Sequence, residues 1–199
     1  MLSLLFAAAA FWTVHIDYPA DRAQFERIDN QFDAAIREFY AAHNLTAPAV
    51  WHIVTVDGAY IGLRPKGTMA DVAAPTLPPD LSKELQAKTA PISEATHKIL
   101  RAHHSELWHL QGDSADPPKE FAIMRTDTVD PPRDDAYEAE MKKLVAELSG
   151  SGVQTIGFFS SYGDGTYHYI FSSDKPLRVR KLKGFGPTRD VAITRLEVH

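Results

Sequence analysis

The chain runs twice through one order of elements: an alternating strand, an amphipathic helix, and a hairpin turned on Asp-Gly. Thr13-Val14-His15-Ile16-Asp17 alternates polar and apolar residues and reads as a strand. From Asp21 to His43, Phe25, Ile28, Phe32, Ala35, Ile36 and Phe39 recur at steps of three and four, the spacing of a helix with one buried face. Asn44 stands where a helix C-terminal cap belongs. Ala49–Val56 and Ala59–Leu63, β-branched and aromatic, flank Asp57-Gly58, a strong short-range hairpin signal. The order returns with a strand at Phe121–Thr128 and the break Val129-Asp130-Pro131-Pro132. Tyr137, Met141, Leu144, Val145 and Leu148 then mark a helix, with Asp134, Asp135 and Glu138 at its positive end. Ser149-Gly150-Ser151-Gly152 ends it, and Val153–Tyr162 and Thr166–Ser172 flank Asp164-Gly165. Asp57-Gly58-Ala59-Tyr60 answers Asp164-Gly165-Thr166-Tyr167 at nearly equal distance from each opening strand, which points to an internal repeat.

The connecting pieces are less regular. Residues 66–80 are proline-rich and predict a surface loop, and Leu81–Lys88 predicts a short helix. Pro91 suits the first turn of a longer helix, on which Ile92, Ala95, Ile99, His103, Leu107 and Leu110 form one stripe before Gly112 stops it. Residues 113–119 read as a linker, 176–189 as a tail with a basic run, and 191–198 as a final strand. The organisation expected is a first βαββ repeat over 12–120, carrying the loop and extra helix, and a second over 121–199, closed into one compact unit.

Composition narrows the chemistry. The 199 residues are 44% hydrophobic, too apolar for wholesale disorder. With no cysteine there are no disulfides, thiolate metal sites or thiol nucleophiles. A net charge of −5 argues against a nucleic-acid partner. The uncharged run Leu2–Trp12 has the look of a signal-peptide core with an A-x-A-like site, although no Lys or Arg precedes it, and a buried first strand or helix is the other reading. Residues 1–11 are therefore taken as a possible signal-peptide remnant and the location as periplasmic or secreted, or otherwise cytoplasmic. The run is too short to span a bilayer, so no stable membrane insertion is expected.

Strand, helix and hairpin, twice, with helices on one face, resembles the dimeric α+β barrel superfamily in tandem form, which includes NIPSNAP-like and antibiotic-monooxygenase-like proteins. The resemblance is carried by the two Asp-Gly-x-Tyr hairpins, the Phe25–Phe39 helix and Gly62-Leu63-Arg64-Pro65 running into a loop. It implies an α+β class fold: two tandem ferredoxin-like βαββ repeats with antiparallel sheets, helices packed on the outer faces, forming an α+β barrel around a small-molecule pocket. The 66–120 segment departs from that pattern, and the second copy lacks a matching helix. A GyrI-like ligand-binding module shares the βαββ repeat, but its characteristic loop after the first strand is missing.

If Val14 and Ile16 face the helices, Thr13, His15 and Asp17 face the barrel interior, with Tyr60, Arg64, Tyr167 and Tyr169 on the same face; one register slip inverts the assignment. His15, Asp17 and His168 are the candidates for proton transfer, and Arg64 or Arg125 for steadying an oxyanion. His52, Tyr60, Arg64, Arg125, Tyr167 and Tyr169 are the candidate ligand-binding residues. The alternative for each is a hydrated strand end or a single buried hydrogen bond. Three functions follow: a small-molecule-binding barrel with its pocket between the repeats; a monooxygenase or isomerase of this fold, cofactor-free or haem-assisted; or a non-catalytic protein whose barrel is filled by its own aromatics. No resident cofactor is assigned, haem being left open by the resemblance, and the chain is expected as a monomer or homodimer.

Nine histidines invite a metal reading. Glu94-x-x-His97 and Glu106-x-x-His109 both have the one-face helical spacing, but on a single helix they stand about 18 Å apart and cannot share an ion. His103 falls inside the apolar stripe and reads as a core histidine, so no metal site is assigned. Arg178, Arg180, Lys181 and Lys183 form a basic patch that reads as a solvated edge; the P-loop, the dinucleotide fingerprint and the G-x-S-x-G elbow are all absent.

Overall fold

The computed structural model describes residues 11–73, 76–113, 118–161 and 165–198. The strands are β1 (Phe11–Pro19), β2 (Trp51–Thr55), β3 (Tyr60–Gly67), β4 (Leu100–Asp113), β5 (Phe121–Thr128), β6 (Gln154–Ser161), β7 (Thr166–Ser173) and β8 (Thr188–Val198). The helices are α1 (Arg22–Ala42), α2 (Met69–Ala73), α3 (Pro79–His97) and α4 (Asp134–Gly150). The strands close into one antiparallel barrel in the order β1-β3-β2-β8-β5-β7-β6-β4. Within it β4-β1-β3-β2 and β8-β5-β7-β6 have the same ferredoxin-like order, joined where β2 meets β8 and β4 meets β6. The class is α+β, and closure leaves the sheet no free edge.

Local chemistry explains the first half. Asp21 caps α1 by accepting the Gln24 N–H at 2.9 Å. The helix ends at Ala42 with His43 as its cap, and Asn44 just beyond is the one non-glycine residue with positive φ (54°) among those described, a conformation asparagine tolerates. At the first hairpin Gly58 takes φ +90°, while Thr55 Oγ1 donates to Asp57 at 2.5 Å and accepts the Ala59 N–H at 3.1 Å. The tip of the second hairpin, with Tyr162 and Asp164, and the apolar run before Phe11 lie outside the described residues. Phe11 and Trp12, the last two residues of that run, belong to β1.

The segment between the hairpins differs from the expectation. The loop 66–80 contains α2, and one helix, α3, begins at Pro79 and continues through Pro91 to His97. The stripe beyond it is a strand: Leu100–Asp113 pairs with β1 in the register Asp17↔His103, His15↔Ser105, Thr13↔Leu107. Ile99, His103, Leu107 and Leu110 suit a helix by spacing, but β1 offers an unpaired edge that an extended segment satisfies with backbone hydrogen bonds. Glu94 and His97 therefore lie at a helix end, and Glu106 and His109 on a strand.

The orientation of β1 is also reversed. Trp12, Val14 and Ile16 point into the barrel, where they pack with Trp51, Ile53, Ile61, Leu63, Trp108, Phe159 and Ile170. Trp12 meets Trp51 at 5.5 Å and Phe159 at 5.8 Å, both edge-on. The expected pocket between the two halves is thus filled by the chain's own aromatics. Layered outside are the helices. Over the second half, Tyr137, Met141 and Leu144 of α4 pack on Tyr167, Tyr169 and Phe171, with Val179 and Leu182 of the irregular 174–187 segment. That segment stands where the first half has α3.

Candidate functional site

A cavity of about 330 Å³ lies between the outer face of the first-half strands and helices α1 and α3. Strand alternation builds its floor. Because Val14 and Ile16 take the interior, His15 and Asp17 face outward on β1, as do His52 on β2, Tyr60 and Arg64 on β3, and His103 on β4. Phe25, Phe32, Val54 and Leu100 give the cavity apolar walls, and Arg195 of β8 reaches its rim. At position 62, between Tyr60 and Arg64, a glycine leaves open space within 4 Å of where a Cβ would stand.

The polar groups are tied to one another. His103 Nδ1 lies 2.5 Å from Asp17 Oδ1, leaving Nε2 as the ring nitrogen for a ligand. His15 stacks on His103 at 5.8 Å, and its Nδ1 is 2.9 Å from Ser105 Oγ. Burial, with the charges of His103 and Arg64 beside it, pulls the His15 pKa below the ordinary 6.5. His52 is moved the other way, chiefly by the Asp29 carboxylate beside its ring and against the opposing effect of burial. The Tyr60 hydroxyl donates to Glu26 at 2.6 Å and accepts from Arg22 at 3.3 Å, so this residue offers the cavity its ring rather than its oxygen.

The lowered His15 pKa has a measurable consequence. A base harder to protonate in the folded chain than in the unfolded one stabilises the fold above the unfolded value of 6.5; that contribution is lost as pH falls through the folded value. The melting temperature is therefore expected to drop less between neutral and acidic pH in His15→Gln than in the parent, with the two curves parallel above pH 6.5. Parallel curves throughout would contradict this.

The remaining candidates lie elsewhere. Tyr167 and Tyr169 occupy the corresponding outer face of the second half, where α4 and the 174–187 segment cover them. Arg125, fully buried, donates to Asp190, Val179 O and Arg180 O. His168 points into the barrel, stacked on Trp108 at 3.9 Å, with Ser161 Oγ 2.9 Å from its Nε2 and Thr126 Oγ1 3.3 Å from its Nδ1. His103, His97, Asp29, Asp33 and Arg195 line the cavity, although none of them stands among the catalytic or ligand-binding residues expected from the sequence. His103 is no core histidine, its side chain being 40% exposed at the cavity wall. A period-two reading of residues 101–109 would have put His103 on one strand face with Ser105 and Leu107, although not beside Asp17. The basic run is docked by its apolar members: Val179 and Leu182 are buried, while Arg180 pairs with Glu147 of α4 at 3.0 Å.

No helix among the described residues is long and apolar enough to cross a membrane. No family model matches the chain, and no curated protein matches it in sequence. Solved structures do match. A putative monooxygenase from Lactobacillus acidophilus NCFM superposes with TM-score 0.58 at 8% identity, over 94% of this chain and 95% of that one. Another protein of that description, from Fusobacterium nucleatum, gives 0.58 at 8% identity over 97% and 95%. An anthrone oxidase-like protein gives 0.58 at 5% identity over 96% and 94%. At such identities the likeness shows the architecture and not the activity: this chain has the ferredoxin-like α+β barrel fold.

Proposed function

We propose that the protein binds a small molecule with an apolar ring body and an anionic or enolisable head in the cavity under α1 and α3, and that it is an acid–base enzyme acting on that head. The observation that carries this is the convergence of Asp17, His103, His15 and Arg64 on one apolar-walled cavity. Asp17 holds the imidazole of His103 with Nδ1–H toward the carboxylate, so Nε2 is the basic nitrogen. A C–H or O–H placed at Nε2 gives up its proton there, and the developing oxyanion is balanced by Arg64. His15, whose pKa burial lowers, is shifted toward its neutral form and so adds less competing positive charge. Returning the proton to a different carbon completes an isomerisation. The monooxygenation for which the similar structures are named would start from the same deprotonation, with dioxygen as co-substrate taking electrons from the carbanion.

The cavity's volume sits at the small end of ligand sites, and charged side chains stand on its walls. Both suit a bicyclic acid or ketone better than a haem macrocycle, so no step is assigned to haem. With the barrel closed within one chain, we take the monomer as the working unit.

The test has two arms. 1-Naphthoate is expected to bind, as measured calorimetrically, with Arg64→Gln weakening it at least tenfold. 2-Tetralone in deuterated water is expected to take up deuterium α to its carbonyl faster than in buffer alone. Failure of both arms would sink the reading, and binding without exchange would leave a binding protein. A shifted Soret band on haemin titration, lost in His103→Gln, would reassign the cavity to haem.

A further inference from the structure

On the α1 wall of the same cavity stands a second constellation that the acid–base reading does not use. Asp29 and Asp33 are four residues apart on α1 and so share a face. Under them His52 projects from β2, with Nδ1 3.8 Å from Asp29 Oδ2 and Nε2 3.9 Å from Asp33 Oδ2. One ligand atom from each residue can be chosen so that all lie within 4.8 Å of one another, and all three residues are half-buried. We propose that Asp29, Asp33 and His52 form a binding site for a divalent transition-metal ion, with its remaining coordination positions open to the cavity.

The argument rests on donor chemistry, placement and charge. One imidazole nitrogen and two carboxylate oxygens suit Mn²⁺, Fe²⁺ or Zn²⁺ better than Mg²⁺ or Ca²⁺, which prefer all-oxygen sets. Bonds of about 2.1 Å bring ligand atoms to roughly 3.0–3.4 Å of one another, so closure needs movements of about an ångström. The donors come from a helix and a strand that face each other across the cavity, which leaves the fourth and later positions to water or to a bound molecule, as in catalytic rather than structural sites. Two half-buried carboxylates repel each other, and a dication offsets both. The opposite assignment, a histidinium held between two carboxylates with no ion, uses the same atoms and is separated from ours by experiment.

The site shares the cavity of the preceding reading without depending on its proton-transfer step. The full chain, without a histidine tag and stripped with EDTA, is titrated calorimetrically with Zn²⁺ and Mn²⁺ and followed with Co²⁺ by visible absorption. One ion per chain is expected, with affinity lowered at least thirtyfold in both Asp33→Asn and His52→Gln and unchanged in His104→Gln, whose ring is 48% exposed and outside this constellation. The Co²⁺ d–d bands are expected to be present in the parent and lost in His52→Gln. Thermal melts within a few degrees of the parent show that the variants fold; should Asp33→Asn not, Asp29→Asn replaces it. Binding that survives His52→Gln, or no saturable binding below millimolar metal, overturns the proposal. 1-Naphthoate binding by the metal-free chain is read separately, so either proposal fails without the other.

Discussion

Arg125→Met is expected to destabilise the chain by about 3–5 kcal/mol, the cost of removing one partner from a buried ion pair. The guanidinium has no solvent exposure and spends its donors on a two-pronged contact to Asp190, at 2.7 and 2.8 Å, and on the carbonyls of Val179 and Arg180, each at 2.8 Å. Methionine fills much of the volume but leaves the Asp190 carboxylate, 28% exposed, without its cation. It also leaves two carbonyls of the 174–187 segment without donors. Arg125→Lys keeps the charge but not the planar fork, and is expected to fall between parent and Arg125→Met. Arg125→Met/Asp190→Leu is expected to recover part of the loss, because the stranded charge goes with its partner. Urea midpoints at unchanged slope measure all three, and a loss below 1 kcal/mol in Arg125→Met would contradict the account. Amides of 177–185 are also expected to exchange faster in Arg125→Met, since this clamp ties the segment to β5.

Those contacts also explain why the outer layers of the two halves differ while the strand order is shared. In the first half α1 and α3 bridge over their strands and leave a cavity between. Among its described residues the second half has one α-helix, and Val179, Leu182 and Phe185 fill the remaining space against Tyr137 and Tyr167. Tyr137 closes this region with a hydrogen bond to Asp127 at 2.7 Å. Burial raises the Tyr137 and Tyr169 pKa values far beyond the ordinary phenol range, so neither hydroxyl ionises in use.

What the sequence made legible follows the range over which each signal acts. The Phe25–Phe39 stripe and the Asp57-Gly58 turn are local, and α1 and the first hairpin stand where they predict. Alternation correctly grouped His15 with Asp17, Tyr60 and Arg64. It could not say which layer that face meets, because β1 is covered on both sides, by the barrel contents and by helices. The bulk of Trp12, Trp51 and Trp108 was the usable clue: three indoles on one alternation phase fill an interior better than the space beneath a helix. β4 was missed because Ile99, His103, Leu107 and Leu110 satisfy a helical spacing while the partner that makes them a strand, β1, lies far back in the chain. Asp190 as the partner of Arg125 is a pairing of the same long-range kind, which no local pattern encodes.

Asp17→Asn is expected to lower proton abstraction from 2-tetralone by roughly 10²–10⁴-fold, the contribution of a positioned general base, while changing 1-naphthoate affinity by less than about threefold. The amide is nearly isosteric with the carboxylate, so the cavity keeps its shape. It no longer offers a charged acceptor at 2.5 Å from His103 Nδ1. Its NH₂ can donate to Nδ1 instead, which selects the tautomer with the proton on Nε2 and blocks the basic lone pair. Loss of the carboxylate also removes the charge that stabilises the imidazolium once it has taken the proton. Arg64→Gln differs from Asp17→Asn on the binding arm: it weakens 1-naphthoate binding by removing the cationic partner of the carboxylate, and it also slows exchange because the developing oxyanion loses its balancing charge. Because Asp17 works through His103, the pair is expected to be non-additive: Asp17→Asn/His103→Gln should exchange no more slowly than His103→Gln alone. A full additive loss in the double variant would mean that Asp17 acts on the ligand directly. An unaltered exchange rate in Asp17→Asn would show that some other group in the cavity is the base.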